Sequence, residues 1–163
     1  MRVDMTLNQG MTRTGSELII DYVDELARGR SRIDSVIGGI MDDGLQGLAR
    51  TILSAIVRAA SPPTVPQIGR SLGYPRQTVL RHVEALADAG LVTLIDNPDH
   101  KTAKRLVPTE RGKAIYDCRN QASMAWAETF AEEFNRADLE TMVATMRAIR
   151  ARLEALARER EHL

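Results

Sequence analysis

The chain has 163 residues, 44% of them hydrophobic, with 22 Lys/Arg balanced by 22 Asp/Glu and a single cysteine. That length suits one domain, or a small domain with a helical annex, and the apolar share is enough for a core. One cysteine excludes an internal disulfide and fits a reducing cytosol. No apolar run approaches the ~20 residues of a membrane span and no signal-peptide core stands at the N-terminus, so the expected location is cytoplasmic.

Residues 1–15 are rich in Thr, Asn, Gln and Gly without periodicity and read as a mobile arm. Thr14 with Glu17 three residues on resembles a capping box. Ile19, Tyr22, Leu26, Ile33, Ile37 and Ile40 then recur at helical spacings, with Val23 and Val36 widening the stripe. Gly29 and the Gly38-Gly39 pair weaken this first helix, and Asp42-Asp43-Gly44 breaks it. A second helix carries Leu45, Leu48, Ile52, Leu53 and Ile56 and stops at Ser61-Pro62-Pro63.

The stretch from Thr64 to Arg111 has the most specific grammar. Pro66 suits a first helical position, and Ile68 and Leu72 share one face of a short helix. Gly69 lacks a side chain where a following helix could cross closely, and Gly73 supplies the positive φ of a tight turn. Pro75 opens a second helix whose inner stripe is Val79, Val83 and Leu86, and Gly90 ends it. Arg76, Gln77, Leu80, Arg81 and Glu84 are left facing outward. Leu91 to Ile95 is β-prone, Asp96-Asn97-Pro98-Asp99 is a turn cluster, and Arg105 to Val107 is a returning strand. Two short helices about a glycine turn, followed by a hairpin, predict a winged helix-turn-helix whose second helix fits a DNA major groove.

Charge supports that reading modestly. Residues 65–113 hold eight Lys/Arg against five acids, a net +3, whereas residues 1–64 carry −1 and residues 114–163 carry −2. The hairpin tip is basic, with His100, Lys101 and Lys104, and such a wing lies along the backbone or in the minor groove.

Thr109 and Glu110 begin a long helix as N-cap and first-turn acid, with Ile115, Cys118, Ala122, Trp126, Phe130 and Phe134 as its apolar positions. After a break near Asn135, Leu139, Met142, Val143, Met146, Ile149, Leu153 and Leu156 form the seam of a last helix. The expected fold is therefore mainly α with a small β-hairpin wing. A winged lobe at 44–109 is flanked by a helical dimerisation region at 16–43 and 110–163. Such long apolar stripes need cover that the small lobe lacks, and a second copy of the chain is the simplest source.

This order of elements, over roughly residues 16–158, resembles the MarR family of bacterial transcriptional regulators. The resemblance is carried by Gln77-Thr78-Val79-Leu80-Arg81-His82-Val83-Glu84-Ala85-Leu86 and Ala89-Gly90-Leu91-Val92. It continues through Asn97-Pro98-Asp99 to Leu106-Val107-Pro108-Thr109-Glu110-Arg111-Gly112. It implies a homodimer on double-stranded DNA at a pseudo-palindromic operator, usually as a repressor, released by a small aromatic or phenolic effector or by oxidation. The DNA-contacting residues would be Arg76, Gln77, Thr78, Leu80 and Arg81 on the second helix, with Lys101 and Lys104 on the wing. Family wings often place an aspartate and an arginine two residues apart. Here His100 and Thr102 stand there, leaving Lys101 or Lys104 to take over the contact. Leu80 replaces a common small hydroxyl residue and implies either a thymine-methyl contact or an altered specificity.

Plainer readings stand beside these. Arg76 and Arg81 also fit a solvated helix face, Lys101 and Lys104 a solvated loop, and Arg105 the outward side of a strand. Cys118 reads as a buried structural thiol, because peroxide-sensing relatives carry their cysteine in the first helix. His82 reads as a half-buried, hydrogen-bonded histidine, and the three histidines have no metal-ligand spacing with the cysteine. Trp126, Phe130 and Tyr22 fit either a ligand pocket or plain core or interface. No nucleophile elbow, P-loop, dinucleotide fingerprint or HExxH motif is present, so an enzyme is not expected and neither is a cofactor. The competing class is a winged-helix protein-interaction module without specific DNA binding.

Overall fold

A computed structural model describes residues 13–40, 44–45, 47–99 and 103–161. In order they form α1 (Gly15–Ile40), α2 (Gly47–Val57), α3 (Val65–Leu72), α4 (Arg76–Asp88), β1 (Val92–Ile95), β2 (Arg105–Pro108), α5 (Glu110–Ala131) and α6 (Arg136–Glu161). This is the mainly helical fold with one small hairpin that the sequence pattern predicts. Two compact units divide the chain, Met1–Gly39 and Ile40–Leu163.

The first unit is α1. The expected capping box opens it: Glu17 N–H donates to the Thr14 hydroxyl, and the Glu17 carboxylate accepts from Thr14 N–H at 2.7 Å and from the Thr14 hydroxyl at 2.9 Å. These bonds, the backbone one foremost, hold the Glu17 carboxyl below its ordinary range, and the charge of Arg13 adds to them. Arg13 also pairs with Asp21. Leu18, Ile19, Ile20, Val23, Leu26, Ile33 and Val36 are all exposed along the helix.

In the second unit, the winged lobe is organised by one core. Ile52, Leu53 and Ile56 of α2 meet Val65 and Ile68 of α3, Val79, Val83 and Leu86 of α4, and Leu91, Val92 and Leu106 of the hairpin. The α4 stripe is the one its spacing predicts. Burying each such side chain contributes about 1.5–3 kcal/mol, which makes this cluster the main local source of stability.

Local signals set the turns. Thr64 caps α3 in a full capping box with Gln67, so Val65 is the first helical residue and Pro66 the second, one place later than the proline suggests. Gly73 follows α3 with φ 72°, and a Cβ on Gly69 would lie 2.9 Å from the Tyr74 carbonyl oxygen, so the chain turns tightly over that residue. Pro75 sits at the N-cap of α4, just outside the helix it was expected to open. At the far end Gly90 N–H donates to Ala87 O and Leu91 N–H to Leu86 O, with Gly90 at φ 69°, the paired bonds of a Schellman motif.

β1 and β2 pair antiparallel from Val92 opposite Pro108 to Ile95 opposite Arg105. Leu106 N–H donates to Pro63 O at 2.7 Å and Thr64 forms a bridge with Arg105, so β2 is also tied to the start of α3. Thr109 caps α5, its hydroxyl accepting from Gly112 N–H and donating to Gly90 O. Gly112 lies so close to the residue before β1 that an added Cβ would stand 2.1 Å from Leu91 O.

Two expectations need correction. Cys118 is exposed, not a buried thiol. The inward face of α5 is phased on Gly112 and Arg119, both buried, with the Arg119 guanidinium donating to Leu45 O at 3.2 Å. Cys118 therefore points about 100° away from that line. Leu80 does not face fully outward either: it is half-buried against the edge of the lobe core. On α6, Leu139, Met146 and Ile149 are half-buried, while Met142, Val143, Leu153 and Leu156 are exposed. Residues 1–12 of the expected N-terminal arm, and most of the Asp42-Asp43-Gly44 break, lie outside the described residues.

Candidate nucleic-acid interface

α4 is a 13-residue rod held by one face. Val79 and Val83 are 0% exposed and Leu86 1%, which fixes the helix's rotation and turns Arg76, Gln77, Arg81 and Glu84 to solvent. Thr78 is half-buried beside them. Pro75 offers no side-chain cap to the first-turn amides, which stand at the positive end of the helix dipole. Among the described residues none of Arg70, Arg76 and Arg81 is engaged in an ion pair. These three exposed guanidinium groups, two of them (Arg70 and Arg76) bordering a gap that Glu154 also lines, are suited to phosphates and to the acceptor edges of guanine.

Arg70 is the member of this group that the sequence reading passed over. It sits in the last turn of α3 and borders two clefts. The first runs between α3 and the hairpin, past Thr64, Gln67, Asn97 and Arg105. The second, an open gap, separates the turn at Gly73–Arg76 from Arg150, Leu153 and Arg158 of α6.

At the hairpin, Lys104 is exposed and lies 3.7 Å from Asp96, close enough for only a loose ion pair. Lys101, with His100 and Thr102, falls outside the described residues. Arg105 is not simply an outward strand residue: its Nε donates to Asn97 Oδ1 at 3.1 Å and its Nη2 to Asp99 Oδ2 at 2.6 Å. His82 is half-buried on α4. Trp126 stacks on Phe130 at 4.9 Å, and Phe130 meets Phe134 at 5.2 Å, a partly exposed aromatic row that runs from α5 into the turn after it; Tyr22 belongs to the other unit. Among the described residues no group of three His, Cys, Asp or Glu side chains converges as a metal site would require, and no helix is long and apolar enough to cross a membrane.

Comparison with known proteins agrees with this geometry. The family model described as MarR family matches residues 43–101, which covers α2 to β1 and ends before β2. An uncharacterized protein of Mycobacterium tuberculosis is 36% identical over 97 residues, a stretch that spans 60% of this chain and 66% of that protein's length. Among solved structures, a MarR family transcription regulator is 26% identical with a TM-score of 0.72, covering 88% of this chain and 95% of its own. CouR from Rhodococcus jostii, bound to p-coumaroyl-CoA, is 18% identical with a TM-score of 0.68 over 76% of this chain and 87% of its own. BldR from Sulfolobus solfataricus, a transcriptional regulator, is 16% identical with a TM-score of 0.71 over 87% and 99%. The matched family model over residues 43–101 and the 26%-identical regulator of the same fold together support a MarR-family winged helix in this chain.

Proposed function

We propose that this protein is a sequence-specific, DNA-binding transcriptional regulator that holds a pseudo-palindromic operator as a homodimer and acts as a repressor in the cytoplasm. The observation that carries the reading is the outward first turn of α4, where Arg76 and Gln77 are exposed on a rod that Val79 and Val83 lock in rotation. In this reading α4 enters the major groove, Arg76, Gln77, Thr78, Leu80 and Arg81 meet bases and phosphates, and Lys101 and Lys104 of the wing hold the flanking backbone. Half-buried Leu80 still offers a methyl edge to a thymine.

The dimer reading is supported by the apolar side chains exposed on α1, on α6 and in the turn before α6, including Ile20, Val23, Phe134 and Met142. A second copy covering those faces would set two α4 rods on successive major grooves, about 34 Å apart. A small aromatic or phenolic effector that altered this spacing would release the operator, a response suggested by the p-coumaroyl-CoA held by CouR.

The test is binding of labelled fragments from the protein's own upstream region across a salt series. A regulator gives tight binding that falls steeply with salt; weak, flat binding would favour the protein-interaction module instead. Arg81→Ala should lower operator affinity by about 1–3 kcal/mol without changing the melting temperature. Wild-type affinity in that variant would remove α4 from the interface.

A further inference from the structure

We infer that Arg105 is a positioning residue for the wing: its guanidinium fork latches Asn97 and Asp99 and so fixes the direction in which the hairpin leaves the lobe. The inference rests on the DNA-binding reading above and deepens it. Ile95 and Arg105 are the last strand pair before the tip. Beyond them three side-chain bonds cross the hairpin. Arg105 Nε donates to Asn97 Oδ1 at 3.1 Å, its Nη2 donates to Asp99 Oδ2 at 2.6 Å, and Asn97 Nδ2 donates to Ala103 O at 3.0 Å. Asn97 is itself braced, because its Oδ1 also accepts from Asp99 N–H at 3.1 Å.

The backbone of Arg105 is equally constrained. It bridges Thr64, the 8% exposed cap of α3, and the next residue donates to Pro63 O. Arg105 therefore joins the wing to the start of the helix-turn-helix. Its side chain is 29% exposed and already opposed by Asp99, which makes it a poor phosphate ligand; what the geometry uses is the planar fork, which lysine lacks. An ion pair this accessible adds little to global stability, so its consequence is local order in the segment that carries Lys104.

The charge logic gives the test its sign. Asp99→Ala removes a negative charge from the DNA-facing wing, and electrostatics alone would tighten binding. The latch predicts the opposite. With full-length protein and a labelled duplex selected by the wild type from random sequence, Asp99→Ala, Asn97→Ala and the charge-preserving Arg105→Lys should each weaken binding by at least about threefold. The double variant Arg105→Lys with Asp99→Ala should lose no more than either alone, since both break one device. Amide exchange should speed up at 95–99 and 103–105 while α4 amides and the melting temperature stay unchanged. Wild-type affinity in Arg105→Lys, or tighter binding in Asp99→Ala, overturns the latch. If the wild type selects no duplex, the DNA-binding reading has failed separately. The exchange experiment then decides alone, and unaltered exchange at 95–99 overturns the latch.

Discussion

In the lobe, Ile52, Val79, Val83 and Leu106 are 0% exposed; on α6 Leu153 is 57% exposed, and on α1 Ile20 is 63% exposed. The same kinds of side chain meet opposite fates within one chain. The lobe closes on itself because three short helices and a hairpin can surround a small cluster. A 26-residue helix, about 39 Å long, extends past anything so small and keeps a bare apolar face. One region thus carries its stability internally, while the other leaves apolar faces exposed, and each side of this contrast can be broken separately.

The largest effect is expected inside the lobe. Leu86→Ala, at a side chain 1% exposed, should cost about 2–5 kcal/mol in chemical denaturation, since it leaves a cavity among α2, α4 and the hairpin. A loss within 0.5 kcal/mol would mean the cluster is not the organising core. Next, Ile19→Glu combined with Val23→Glu on α1 should convert the proposed dimer to monomer in sedimentation. Operator affinity should then fall by about 100-fold or more as avidity is lost, with the lobe's own amide protection intact. A variant that stays dimeric would assign the interface elsewhere. Smaller still, Thr64→Ala removes the α3 cap and should lower stability by about 1 kcal/mol, read from the denaturant midpoint.

The smallest effect sharpens the helix end of the contrast. Glu17 has its pKa lowered in the folded state, so the α1 capping box contributes fully above the unfolded value of 4.5 and is lost as pH falls through the lower, folded value. NMR titration of the Glu17 carboxyl should place its midpoint below 4.5; a midpoint at or above that value would show the box to be open.

The lobe was readable because its signals are local. Gly73, Gly90 and Thr109 mark helix ends by their own backbone or side-chain chemistry, and Val79, Val83 and Leu86 state their face by spacing. The Thr64–Gln67 box was equally legible as a Thr-x-x-Gln pattern, yet Pro66 pointed to a start one residue late. α5 was harder. Its small and aromatic residues give no single phase, and a buried arginine at 119 looks like a solvent-facing one, so Cys118 was placed on the wrong side. The Arg105 fork was invisible for another reason: residues 97, 99 and 105 share no period, and only the folded loop brings them together. The outward arginines 76 and 81 were legible by elimination, as what remains when the inner stripe is removed.

The seat of α5 has a mechanical consequence. Because Gly112 rests on Leu91 with no room for even a methyl group, the start of that helix cannot slide or pivot on the hairpin, and rod and lobe must turn as one body. A 22-residue helix is about 33 Å long, so a tilt of 10° at its root moves its tip by about 6 Å. Read in reverse, a displacement of a few ångströms at the tip swings the whole lobe, and α4 with it, through an angle that groove-matched binding does not tolerate.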